Sequence, residues 1–148
     1  MELKVIIVDD EPPAQELIES LLENIPELEV IGIYGTGQEA IKAINSTKPD
    51  ILFLDIQLKS MTGFDLLNDL VGQLPLVIFV TAYDEYAIDA FNIFAFDYLL
   101  KPFTEERFYK SVLKATQSLK NNVPVELNFK TKELLNHVQQ KESNHFSS

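Results

Sequence analysis

The chain has 148 residues, no cysteine, 46% hydrophobic residues and a formal net charge of −11. That length suits one ordinary domain, and the missing thiols exclude disulfides, thiol catalysis and zinc–thiolate sites while fitting a reducing compartment. So acidic a surface repels phosphate backbones, which argues against nucleic-acid binding by this chain alone, and no signal-like or membrane-spanning apolar run is present, so a cytoplasmic protein without membrane contact is expected.

The first element is "LKVIIV" (Leu3–Val8), a continuous apolar run of the kind a strand buried on both faces shows. It ends in Asp9, Asp10 and Glu11, followed by Pro12 and Pro13. Leu17, Ile18, Leu21, Leu22 and Ile25 then recur at helical spacing. "LEVIGIY" (Leu28–Tyr34) is the second strand; Thr36 or Gly37 caps a helix that turns Ala40, Ile41 and Ile44 inward. "DILFLD" (Asp50–Asp55) is the third strand, and a loop with Gly63 leads to a short helix bearing Phe64, Leu67 and Leu70. "LVIFVT" (Leu76–Thr81) is the fourth strand, and "DEYAIDAFNIF" (Asp84–Phe94) reads as a short helix. "FDYLL" (Phe96–Leu100) is the fifth strand, and Thr104–Leu119 the last helix.

Strands alternating with helices imply a parallel sheet covered on both faces. Five such units predict a doubly wound, flavodoxin-like (βα)5 fold with strand order 2-1-3-4-5. Residues 1–119 form that domain. Residues 120–148 change character and read as a polar linker or C-terminal extension, with four lysines against three glutamates and both histidines of the chain, His137 and His145. In this tail Val125, Leu127 and Phe129 alternate like a short strand, and Leu134, Leu135 and Val138 would line a short helix.

Ligands of open parallel sheets bind beyond the carboxyl ends of the strands. Strand 1 delivers Asp9, Asp10 and Glu11 there, strand 3 Asp55, strand 4 Thr81, and strand 5 Lys101 followed by Pro102. Each group has a purely structural reading. The three acids can cap the next helix, Asp55 can cap a turn, Thr81 can be a satisfied hydroxyl, and Lys101 can be a solvated charge. Their convergence at four strand ends points instead to one pocket. Clustered hard oxygen donors suit Mg²⁺, with Mn²⁺ able to substitute. A carboxylate beside the metal, Asp55, can act as a nucleophile on phosphorus, while Lys101 and Thr81 neutralise and hydrogen-bond the phosphoryl oxygens.

These residues resemble the receiver domain of bacterial two-component response regulators. The resemblance covers about residues 1–119 and lies in "VDDE", "LDIQLKSMTGFDLL", "VTAYDEYAIDAF" and "FDYLLKPF". It implies phosphorylation of Asp55 by a partner sensor histidine kinase. It implies Mg²⁺ held by Asp9, Asp10, Asp55 and the Gln57 backbone carbonyl, and phosphoryl contacts from Thr81 and Lys101. It also implies a cis peptide at Pro102, a switch made of Thr81 and Tyr98, and tuning of phosphate lifetime by Gln57 and Tyr83. For Tyr98, half-buried strand packing is an equal and compatible reading. Two places depart from the family pattern: Lys59 stands where a proline is usual, and Thr62 stands where an acid is common, which bears on the conformation of this loop.

The stretch from Val80 to Phe103 is similar to receivers that precede a LytTR-type DNA-binding domain, which would need roughly another hundred residues. Residues 120–148 lie where a linker to such a domain would lie; truncation before it and a stand-alone receiver both stay open. The resemblance implies homodimerisation on phosphorylation through the fourth helix, fifth strand and fifth helix, a face expected to carry Ile88, Phe91, Tyr98 and Phe108. The alternative is a haloacid-dehalogenase-like Mg²⁺ phosphatase with Asp55 as nucleophile. Such enzymes carry a second Asp two residues on, where this chain has Gln57, which cannot exchange a proton at a useful pKa.

Overall fold

The computed structural model describes residues 2–92 and 95–121, with side chains of residues 91 and 92 left aside. Five parallel strands form one sheet in the order β2-β1-β3-β4-β5. They are β1 (Leu3–Val8), β2 (Leu28–Tyr34), β3 (Ile51–Leu54), β4 (Leu76–Thr81) and β5 (Asp97–Leu100). The helices are α1 (Pro12–Leu22), α2 (Gly37–Thr47), α3 (Gly63–Asn68), α4 (Ala87–Asn92) and α5 (Glu105–Asn121), with a 3₁₀ turn at Asp84–Tyr86. This is the flavodoxin-like arrangement that the alternation of elements predicts.

Strand parity splits the core into two layers, because successive side chains leave opposite faces of the sheet. Val5 and Ile7 pack with Ile18, Phe53, Phe108 and Val112, in the layer under α1 and α5. Ile6 and Val8 pack with Ile44, Leu54, Leu66 and Phe79, in the layer under α2 and α3. All four residues of β3 are buried, which explains why this inner strand reads as an unbroken apolar run.

Local expectations held unevenly. Thr36 is the N-cap of α2, and its hydroxyl accepts the amide of Glu39. Ile18, Leu21 and Leu22 are buried, but Leu17 is 47% exposed, because the inward stripe of α1 is narrower than its apolar spacing suggests. Phe108 is fully buried, stacked on Phe53 and Phe103 at 5.5 Å, so it belongs to the core and not to an exposed face. Segment 84–94 is not one helix. It opens with the 3₁₀ turn before α4, and Ile93 and Phe94 lie outside the described residues. The side chain of Phe91 lies outside them too, as do the strand and helix expected near 125–129 and 134–138. The last helix runs to Asn121, past the boundary expected at residue 119.

At the sheet edge, Asp97 accepts two hydrogen bonds from the Arg107 guanidinium, at 2.7 and 2.9 Å. Burial pushes the Asp97 carboxyl up, but its polar partners, Arg107 foremost, outweigh it and hold the group below its ordinary 3.8. A depressed carboxyl contributes stability that is present above the ordinary pKa and fades as pH falls through the folded one. Arg107→Ala is therefore expected to cost about 1 kcal/mol at pH 7 in urea unfolding, a figure that allows for the exposure of Arg107. The gap to the native protein should narrow as pH drops below 3.8. An equal gap at both ends of that range would mean the ion pair contributes nothing.

Candidate functional site

The site is built at the carboxyl edge of the sheet. The amide of Asp9 donates to Tyr34 of β2 (3.1 Å), and that of Asp55 to Val8 of β1 (3.0 Å), so the ladder carries both acids one step past their strands. Asp9 then turns the chain into α1. Its Oδ1 accepts the amide of Glu11 at 2.9 Å, and its carbonyl accepts Gln15 Nε2 at 2.5 Å. Glu11 is the N-cap but makes no side-chain capping bond, so helix capping does not explain the acidic triad. Pro12 and Pro13 open α1, where a missing N–H costs nothing.

Lys101 closes the site. Its backbone N–H donates to the carbonyl of Thr81 (2.7 Å), and the Lys101–Pro102 peptide bond is cis. Its Nζ donates to Asp9 Oδ2 at 2.8 Å and Asp55 Oδ2 at 3.1 Å, with Glu11 at 3.8 Å. Asp9, Asp55 and Thr81 are buried, Asp10 is half-buried and Glu11 is exposed. The Lys101 side chain is only 19% exposed, so it is not a solvated surface charge. Burial pushes the Asp9 carboxyl above its ordinary value, and the Lys101 and Glu11 contacts only partly offset this. Burial acts to lower Lys101, but Asp9 and Asp55 outweigh it and hold the ammonium above its ordinary pKa.

One oxygen from each of Asp9, Asp10, Glu11 and Asp55 lies within 4.8 Å of the others. Four carboxylates face one ammonium here, so the cluster keeps an excess of negative charge. Hard oxygen donors at this spacing can bind a divalent metal ion.

The flanking loops are specific as well. The amide of Gln57 donates to Asp55 Oδ1 at 3.3 Å, and Gln57 Nε2 to the hydroxyl of Tyr86 at 3.0 Å. Thr81 Oγ1 accepts the amide of Tyr83 at 3.4 Å. Tyr98 is half-buried, its ring 6.1 Å from Phe79, and its hydroxyl donates to the carbonyl of Tyr83. Burial, with the charges of Asp84 and Asp55 behind it, pushes that hydroxyl well up, so it is a neutral donor. Thr62 N-caps α3 in a reciprocal capping box with Asp65. The pattern Thr-x-x-Asp before an apolar run was the available signal for it. Lys59 is exposed and touches none of the acids.

The profile of the response regulator receiver domain matches residues 5–113. The chain belongs to this family. It is 40% identical over 130 residues to the sensory transduction protein LytT of Bacillus anthracis, covering 86% of this chain and 53% of that protein. It is 44% identical over 116 residues to the transcriptional regulatory protein BtsR of Salmonella typhi, covering 78% and 48%. The chain thus spans about half the length of the curated relatives it matches. Among solved structures it is similar to the response regulatory domain of mrkE from Klebsiella pneumoniae, with 35% identity and a TM-score of 0.76, over 80% of this chain and 99% of that one. The receiver of AraT from Geobacillus stearothermophilus follows at 32% and 0.73, over 82% and 98%. The receiver is a domain of two-component response regulators. Among the described residues no helix is long and apolar enough to cross a membrane.

Gly63 sets the closeness of the loop to Asp55. A Cβ there would stand 2.7 Å from the Asp55 carbonyl oxygen and 3.1 Å from Leu54 Cγ. The first neighbour is backbone just past the central strand and cannot turn aside. Gly63→Ala is expected to cost about 1–3 kcal/mol in thermal or urea unfolding. A variant that melts like the native protein would show that the loop gives way freely.

Proposed function

We propose that Asp55 accepts a phosphoryl group from a sensor histidine kinase in a Mg²⁺-dependent step, and that this switches the surface formed by α4, β5 and α5. The observation that carries the reading is Lys101, bonded at once to the buried carboxylates of Asp9 and Asp55 inside a four-acid cluster. A lone ammonium that pairs two acids and leaves the cluster anionic suits a site that must later hold a phosphoryl group and a dication together.

In the proposed step a carboxylate oxygen of Asp55 attacks phosphorus, the bond to the donor breaks, and an acyl phosphate results. Lys101 then turns from Asp55 to the phosphoryl oxygens, and the Thr81 hydroxyl donates to another of them. Asp9, Asp10, Asp55 and the Gln57 carbonyl are the groups that would hold Mg²⁺, or Mn²⁺ in its place. The bound cation supplies charge neutralisation for the transferring group. Asp9 serves as a ligand once ionised, and its raised pKa moves that ionisation to higher pH. Thr81 moves toward the phosphate, and Tyr98 exchanges its bond to the Tyr83 carbonyl for an inward position. Gln57 and Tyr83 flank the acceptor and tune the life of the phosphate. A phosphatase reading fares worse. Gln57 has no proton to exchange, and its amide is already engaged by Tyr86.

In the proposed organisation residues 1–119 act as the cytoplasmic receiver unit, and residues 120–148 lead toward a LytTR-type output domain that would carry DNA binding. The half-length match to LytT and BtsR supports this. Dimerisation follows phosphorylation, through the face that carries Ile88 and Tyr98.

Incubation with acetyl phosphate and Mg²⁺, read by intact mass, should give one phosphoryl adduct in the native chain and none with Asp55→Asn. No adduct under conditions that preserve acyl phosphates would overturn the proposal. Beryllofluoride with Mg²⁺ should raise the sedimentation coefficient toward that of a dimer; unchanged sedimentation would refute the dimer step.

A further inference from the structure

We propose that Tyr86 is a positioning residue for Gln57, and that the pair sets the rate at which water removes a phosphoryl group from Asp55. This rests on the reading of Asp55 as the acceptor. Gln57 Nε2 donates to the Tyr86 hydroxyl at 3.0 Å, across 29 residues of sequence. The bond joins the loop after β3, which begins at Asp55, to the turn after β4, which begins beyond Thr81.

Both ends of the pair are anchored. The backbone of Gln57 donates to Asp55 Oδ1 at 3.3 Å and forms an antiparallel bridge with Thr62. The ring of Tyr86 lies 6.0 Å from Phe64 and 6.3 Å from Tyr83, both tilted or edge-on, and Phe64 packs in turn on buried Phe79. The hydroxyl therefore stands on a wall of packed rings. A free glutamine side chain samples many rotamers, and a bond to a fixed partner selects among them.

The chemistry follows from the inventory of a carboxamide. With the amide nitrogen donating to Tyr86, the carbonyl oxygen is the acceptor left for a water molecule. A glutamine orients the attacking water in the same way in nucleotide hydrolases. Water adds to phosphorus, the P–O bond to Asp55 breaks, Asp55 regains its carboxylate, and inorganic phosphate leaves with the water's protons. Gln57 takes no proton in this step; it orients only. Tyr86 touches neither acceptor nor water and acts through Gln57.

The test uses Tyr86→Phe, which keeps the ring and removes the hydroxyl, Gln57→Leu, and the double variant. Each protein is phosphorylated with acetyl phosphate and Mg²⁺, freed of donor, and followed by intact mass. Each single substitution should lengthen the half-life of the acyl phosphate by about fivefold, the factor one positioning hydrogen bond carries. The double variant should last no longer than Gln57→Leu alone. In the unphosphorylated protein the side-chain amide resonances of Gln57 should shift in Tyr86→Phe. A native half-life in Tyr86→Phe, effects that multiply in the double variant, or an unmoved Gln57 amide would each overturn the inference and leave the acceptor reading standing. Failure of the native chain to form any adduct would overturn both.

Discussion

The pairing of Lys101 with Asp9 and Asp55 is the constraint on which the rest of this site depends. Carboxylates as buried as these two are expensive without a partner. Their burial comes from the sheet itself, since the ladder extends past β1 and β3 and carries both acids below the rim. Lys101 offsets that cost from the end of β5, on the far side of Thr81, so four strands must be in register for one ammonium to reach two acids. The compensation is incomplete. Asp9 stays above its ordinary pKa although it touches the lysine. A structure optimised only for stability would have matched the charges or replaced them with apolar groups.

That deficit has a direction. The cluster is short of positive charge, so a dication relieves it. With a dication bound, the same cluster would tolerate a phosphoryl group of about −1.5 to −2 charge. In the proposed reaction each arrival makes the next one less costly. The lysine need not travel far, because it already lies 3.1 Å from the acceptor carboxylate. Thr81, fully buried at the end of the neighbouring strand, is the remaining donor with a hydroxyl to offer.

The inner strands were legible in the sequence because burial on both faces leaves no polar alternation, and the residues that follow such strands must then sit at the rim. Asp9, Asp55, Thr81 and Lys101 could be placed together by that argument alone. The helices were less legible. Leu17 and Phe108 have similar apolar spacing in amphipathic helices, yet one faces solvent and the other lies in the core. Periodicity gives the direction of a stripe but not its width, and the width depends on what packs opposite. The Thr62 capping box was present in the sequence but is a local signal that a family departure at the same position obscures. The bond between Gln57 and Tyr86 had no sequence signal. It joins two loops whose approach is fixed only when β3 and β4 pair.

The segment after β4 is the least regular part of the described sheet edge, and its attachments explain why it suits a switch. α4 has six residues and follows a single 3₁₀ turn, too short to be stable through its own backbone bonds. Two side-chain bonds from outside β4 tie the turn to its surroundings. Tyr98 holds the carbonyl of Tyr83 from β5, and Gln57 holds the hydroxyl of Tyr86 from the loop beside Asp55. Both can be exchanged without disturbing the buried layers, since neither partner pair belongs to the fully buried core. In the proposed reading a change in charge at Asp55 reaches the turn by two routes, directly through Gln57 and through Thr81, whose hydroxyl accepts the amide of Tyr83. On the same reading an element held by a few exchangeable bonds, next to a site with unsettled charge, has two arrangements close in energy. The proposed phosphorylation needs only to bias that balance.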